Sequence, residues 1–120
     1  VREVVDDDRV AVTKLERVLS EPSPESSTER PAYELLSRTI HEVFPDVAAT
    51  APSLVVGATD SRHFTPVADD VYRFAPIRVG PADLRRVHGT DERLAVGQIP
   101  PAVEFYRRLL RASGSPPRPR

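Results

Sequence analysis

At 120 residues the chain fits one small domain or a piece of a larger one. Its apolar fraction of 39% lies below the roughly 45–50% usual for compact domains with glycine counted, and its 5 Gly narrow that gap only slightly. The net charge of −1, from 17 basic and 18 acidic residues intermixed, excludes the electrostatic footprint of a nucleic-acid or anionic-membrane binder.

Thirteen prolines raise the loop content, so the core is expected to be thin and stability in isolation poor. No apolar run approaches the ~20 residues that span a bilayer, and there is no N-terminal signal pattern. The chain starts at Val1 and contains no Met, as expected of a piece lacking its native start. The absence of Cys removes disulfides, thiolate-bound zinc and thiol nucleophiles, and it is compatible with a cytoplasmic protein.

In chain order, residues 1–18 read as a helix end, an acidic turn at Asp6-Asp7-Asp8 and a strand carrying Val10, Val12 and Leu15. No His or further carboxylate has ligand spacing beside the three aspartates, so they read as a turn. Residues 20–31 are rich in Pro, Ser and Thr and read as a linker and domain boundary. A helix starts near Pro31, which suits a first-turn position, and ends at Pro45. Its apolar face holds Ala32, Leu36, Ile40 and Val43, with Leu35 and Phe44 beside it. His41 flanks that stripe and reads as structural.

Pro52 to Gly57 reads as a short buried strand and Val71 to Ile77 as an alternating one. Asp83 to Val87 fits either a short helix or a strand. A last helix starts at Pro100-Pro101, with Ala102, Val103, Tyr106, Leu109 and Leu110 on one face. Arg107, Arg108 and Arg111 lie in its final turns, where cations complement the macrodipole, and Gly114 can close it. Residues 114–120 read as a disordered tail.

Two glycine-centred clusters carry the candidate chemistry. The first, Gly57-Ala58-Thr59-Asp60-Ser61-Arg62-His63-Phe64, follows a predicted strand, and in α/β sheets ligands bind beyond the carboxyl ends of strands. Gly57 permits close approach of backbone and ligand. Arg62 is the natural hook for a carboxylate, because guanidinium binds it bidentately, and Asp60 can orient Arg62. A plain Asp60–Arg62 loop contact accounts for the same residues without a ligand. Ser61 and His63 lack the third group of a nucleophile triad.

The second cluster, Val87-His88-Gly89-Thr90-Asp91-Glu92-Arg93, places a candidate zinc ligand before a glycine that leaves space for metal or substrate. Carboxylates nearby are the usual partners of a metal-bound imidazole. A hydrogen-bonded turn histidine is the alternative. A hydrolytic zinc site needs about three protein ligands and an open position. This chain has only His41, His63 and His88, with no His-x-His, His-x-Asp, His-Glu-x-x-His or Glu-Glu pair. A complete catalytic site is therefore not expected here.

Both clusters, with Val71-Tyr72-Arg73-Phe74-Ala75-Pro76 between them and Phe105-Tyr106 after them, stand in an order and spacing that resemble one family. The chain is similar, over nearly all of residues 1–112, to the C-terminal portion of the carboxypeptidase S, aminoacylase and acetylornithine deacetylase family of dizinc peptidases, with the carboxypeptidase S-like branch nearest. The resemblance implies an α/β fold, the C-terminal part of a three-layer α/β/α zinc-exopeptidase catalytic domain. It places the end of an inserted α/β lid (dimerisation) domain at residues 1–19, a linker at 20–31 and the catalytic portion at 32–113. It also implies a homodimer through the lid.

By the same resemblance His88 is the final ligand of one of two zinc ions, and Glu92, with Gly89, supports it. Arg62 holds the substrate's free carboxylate on a loop shaped by Thr59, Asp60, Ser61 and His63; His63 fits the carboxypeptidase S-like branch, where aminoacylases tend to carry an aromatic residue. The remaining ligands and a glutamate base are expected upstream. The implied reaction is hydrolysis of a peptide or N-acyl amino acid with a free carboxylate, and the isolated chain is expected to be inactive. A non-catalytic carboxylate-binding module of the same fold is the alternative. The reading frame upstream of Val1 separates the two: His-x-Asp and Glu-Glu at family spacing support the enzyme, and a start codon near Val1 supports the module.

Overall fold

The computed structural model describes residues 2–13, 22–55, 57 and 59–114. Four helices organise them: α1 (Arg2–Val5), α2 (Pro31–Val43), α3 (Pro81–Leu84) and α4 (Ile99–Ser113). Short 3₁₀ turns cover Asp60–His63 and Val96–Gln98. Residues 1, 14–21, 56, 58 and 115–120 lie outside the described residues, and with them Leu15 of the first expected strand, the last part of the segment 1–19 expected to end a lid, and most of the expected tail.

Helix α2 forms where its sequence directs. Pro31 takes the first turn, where a missing N–H costs nothing. Pro45 follows the cap residue Phe44, whose N–H donates to Ile40 O at 2.8 Å. Ile40 and Phe44 are buried, with Leu36 and Val43 packed around them, but Ala32 is exposed and joins no core. Thr39 is buried as well, and its hydroxyl donates to Leu35 O one turn back (2.7 Å). His41 takes the expected structural role: its Nδ1 donates to Val47 O at 3.0 Å.

Helix α4 has the expected bounds but a different buried face. Phe105, 1% exposed, is the centre of the core, with Leu109 packed beside it and Ala102 half-buried. Val103, Tyr106 and Leu110, expected on the core face, are exposed. The helix carries two adjacent apolar stripes, and the one holding the larger Phe105 ring wins the contact with α2. Arg107 and Arg108 do not serve the helix terminus; both bond Glu104, at 2.6 Å each. Arg108 also reaches Glu42 on α2 (3.3 Å).

The expected α/β layering is not seen in this part of the protein: among the described residues there is no β-strand. Residues 52–55 and 71–77, and the segment near Val10, lack a backbone ladder. Alternating side chains give a strand only when another strand supplies hydrogen-bond partners. For the 71–78 segment, side chains satisfy part of that demand instead. Ser26 Oγ accepts from Val71 N (2.8 Å) and donates to Val71 O (3.1 Å). At the far end Gln98 accepts from Arg78 N through Oε1 and donates from Nε2 to Arg78 O (3.1 Å).

That segment lies across the helical pair. Phe74 meets Phe105 with ring centroids 5.1 Å apart, Tyr72 meets Tyr33 at 5.7 Å, and the Arg78 guanidinium sits 5.4 Å from the Phe44 ring. The described part of the linker, residues 22–30, is stitched to the same segment. Ser27 N donates to Asp70 Oδ1 (2.8 Å), Tyr72 OH donates to Ser27 O, and Arg30 pairs with Asp70 at 3.3 Å. Burial, with the Asp70 charge second, raises the Tyr72 phenol above its ordinary value, so it remains a donor.

Candidate functional site

The first cluster is a capped 3₁₀ turn. Thr59 has extended backbone and its Oγ1 accepts from Ser61 N at 3.3 Å, the usual work of a Thr N-cap. The Thr59 and Ser61 hydroxyls also bond each other (2.5 Å), and Phe64 N donates to Ser61 O (3.0 Å). Open space lies beside Gly57, where an added Cβ would meet nothing within 4 Å.

Within this turn Arg62 is exposed and its Nε donates to His63 Nε2 at 3.3 Å. No ion pair joins Arg62 to Asp60 or to any other described carboxylate, so the expected orientation of Arg62 by Asp60 does not occur; His63 takes that place. A bond through Nε leaves the Nη1/Nη2 edge of the guanidinium for a bidentate acceptor. Gly57, Thr59, Ser61 and Arg62 line one end of an open groove whose apolar wall includes Ile40 and Phe44 of α2.

One residue of this arrangement was not foreseen. Arg73 Nε donates to Ser61 Oγ at 2.6 Å, and its Nη1 reaches Val55 O (3.3 Å) and Gly57 O (3.4 Å). The signal for it was the alternation of Val71-Tyr72-Arg73-Phe74, which turns Arg73 to the opposite side from Tyr72 and Phe74.

The second cluster follows α3. Pro81 occupies the first turn, Asp83 Oδ2 accepts from Gly80 N (3.0 Å) and Asp83 N donates to Gly80 O (2.9 Å). This settles the open assignment near Asp83 as a helix that unwinds into a turn. His88 and Asp91 both have left-handed backbone, with φ of 58° and 68°. The Glu92 carboxylate accepts from His88 N at 3.2 Å, so it supports the backbone of His88 and not its ring.

Gly89 takes part in the turn after α3. Its N–H closes the turn on Arg86 O (2.9 Å), and an added Cβ would lie 3.4 Å from that same carbonyl. That distance is an ordinary van der Waals contact. His88 is exposed and lies outside the groove that Arg62 lines. Among the described residues no three His, Asp or Glu side chains converge in a way that could hold a metal ion. His88 is the one imidazole of the second cluster, and it stands apart from the groove that Arg62 lines.

Comparison with known proteins identifies the family. The sequence pattern of the peptidase family M20/M25/M40 matches residues 6–112. The chain is 39% identical over 111 residues to probable carboxypeptidase S-like 2 of Dictyostelium discoideum, covering 92% of this chain and 21% of that protein. It is 37% identical over 109 residues to human N-fatty-acyl-amino acid synthase/hydrolase PM20D1, covering 91% of this chain and 22% of that protein. No solved structure matches. The chain belongs to the M20/M25/M40 peptidase family, whose peptidases are generally metal-dependent. It spans about a fifth of the length of the curated relatives it matches.

Proposed function

We propose that this chain is the C-terminal part of a metal-dependent amide hydrolase, a carboxypeptidase or N-acyl-amino-acid hydrolase, to which it supplies a carboxylate-binding loop and one zinc ligand. The observation that carries this reading is the Arg62 guanidinium: exposed, held through Nε by His63, joined to no described carboxylate, and set on a capped turn beside an open glycine. An arginine so held presents two parallel donors to a planar anion. Thr59 and Ser61 fix the turn, and Asp60 adds a carboxylate that makes no ion pair with Arg62.

In this reading the substrate is a peptide or N-acyl amino acid whose free carboxylate docks on Arg62, which sets the register of the scissile amide. His88 is one donor to the metal, and Glu92 holds the His88 backbone. The zinc pair, when bound, activates water and polarises the scissile carbonyl. The other ligands and the proton-shuttling glutamate lie in the rest of the longer protein, as does the sheet that would cover the groove wall at Ile40 and Phe44. Residues 1–19 end a lid domain that makes the homodimer, residues 20–31 return to the catalytic domain, and residues 32–113 complete it.

The test is Arg62→Ala in the full-length protein. With N-lauroyl-leucine as substrate, kcat/KM falls about 10- to 100-fold, the loss of a charge-assisted hydrogen bond. With N-lauroyl-leucinamide it changes less than about threefold, because no carboxylate is present to lose. Equal losses on both substrates would remove Arg62 from carboxylate recognition.

A further inference from the structure

We infer that Arg73 is a positioning residue for the carboxylate-binding loop, acting on Arg62 through Ser61; this rests on the reading of that loop given above. A short capped turn fixes its own shape but not its place relative to the rest of the molecule. Within the turn the bonds are local, with Arg62 N donating to Thr59 O (3.4 Å) and Phe64 N to Ser61 O (3.0 Å). The connection to the core runs through Arg73, whose one guanidinium grips Ser61 Oγ, Val55 O and Gly57 O. Those atoms lie on both sides of the bend that leads into the turn.

Arg73 can do this because its own segment is fixed. Two residues before it, Ser26 holds both polar groups of Val71. One residue after it, Phe74 stacks on the fully buried Phe105, and Gln98 holds both backbone groups of Arg78. Arg62 thus stands on a turn, the turn hangs on Arg73, and Arg73 is anchored to the linker on one side and to α4 on the other. A lysine cannot replace it. One ammonium on a flexible stem does not span a hydroxyl and two carbonyls in fixed directions.

The experiment compares wild type, Arg73→Ala, Arg73→Lys, Ser61→Ala and Arg62→Ala in the full-length protein, with N-lauroyl-leucine and N-lauroyl-leucinamide as probes and hydrogen exchange as a second readout. Arg73→Ala raises KM for N-lauroyl-leucine about tenfold, moves kcat less than about twofold, and leaves the amide nearly unchanged. Arg73→Lys recovers only part of that loss, and Ser61→Ala reproduces part of it. Exchange protection falls at the Arg62 and Phe64 amides and not within α2 or α4.

Equal losses on acid and amide, full rescue by Arg73→Lys, or unchanged protection at Arg62 and Phe64 would overturn the positioning role. If Arg73→Ala does not fold, Arg73→Lys and Ser61→Ala decide on the same criteria. If Arg62→Ala itself treats acid and amide alike, or wild type turns over neither probe, the carboxylate reading falls and exchange alone decides whether Arg73 holds the loop.

Discussion

The α2–α4 pair and the two glycine-centred loops are held together by opposite means. The helical pair rests on apolar burial, with Phe105 closed off between Ile40, Phe44 and Phe74. Among their described residues the loops bury no hydrophobic side chain: Phe64 is 57% exposed and Val87 45%, and their shape comes from caps, turn hydrogen bonds and Arg73. Burial fixes a scaffold in a way that tolerates surface change. Loops built on a few polar bonds keep reactive side chains exposed, and a single substitution releases them. Arg62 and His88 both sit in the second kind of structure.

Four measurements test that contrast, in descending order of expected effect. In the full-length protein His88→Ala abolishes turnover and lowers zinc stoichiometry while the unfolding midpoint of the helical core is retained; normal zinc content in that variant removes His88 as a ligand. Phe105→Ala does the reverse in kind. It costs about 3–5 kcal/mol in denaturant unfolding by opening a cavity at the centre of the core. A loss under about 1 kcal/mol would mean that the helical pair is not the scaffold.

The third measurement uses pH. Arg107, and then Arg108, hold the Glu104 carboxyl down to about 2, below its ordinary 4.5. A depressed carboxylate contributes stability above its unfolded pKa and loses it as pH falls through the folded value. The difference in Tm between wild type and Glu104→Gln is therefore constant above about pH 5 and disappears between about pH 4.5 and 2. A difference that persists below pH 2 would show that Glu104 acts through packing and not charge. The smallest effect is Ser26→Ala, which leaves Val71 N and O without the bonds Ser26 makes and costs about 1 kcal/mol. No loss in chemical denaturation would show that the Ser26 bonds to Val71 add nothing to the hold between the linker and the 71–78 segment.

How much of this was legible in the sequence depended on whether the cause was local. Both boundaries of α2 follow from Pro31 and Pro45, which act on their own neighbours. The start of α4 follows from its prolines, but its buried face does not. Two stripes of similar apolarity share that helix, and the choice between them is made by α2 and Phe74, far away in the chain. The alternation at 71–77 is real, yet alternation records which side each residue faces and not whether a partner strand is present. The clusters at 57–63 and 87–93 were found from composition. The pairing inside them was not: Arg62 takes His63 and not Asp60, and Glu92 takes a backbone N–H. Arg73 escaped notice because its partners lie 12 to 18 residues away.

The left-handed backbone at His88 and Asp91 bears on which residues those positions tolerate. Most L-residues pay about 1–2 kcal/mol to enter that conformation, whereas Asn, Asp and Gly enter it readily. Alanine at 88 therefore removes an imidazole and also strains a turn, two effects that an activity assay cannot separate. Asparagine keeps the turn and discards the ring, so His88→Asn isolates the ligand from the bend. The same geometry makes His88 a permitted residue in its turn on conformational grounds alone, independent of any metal.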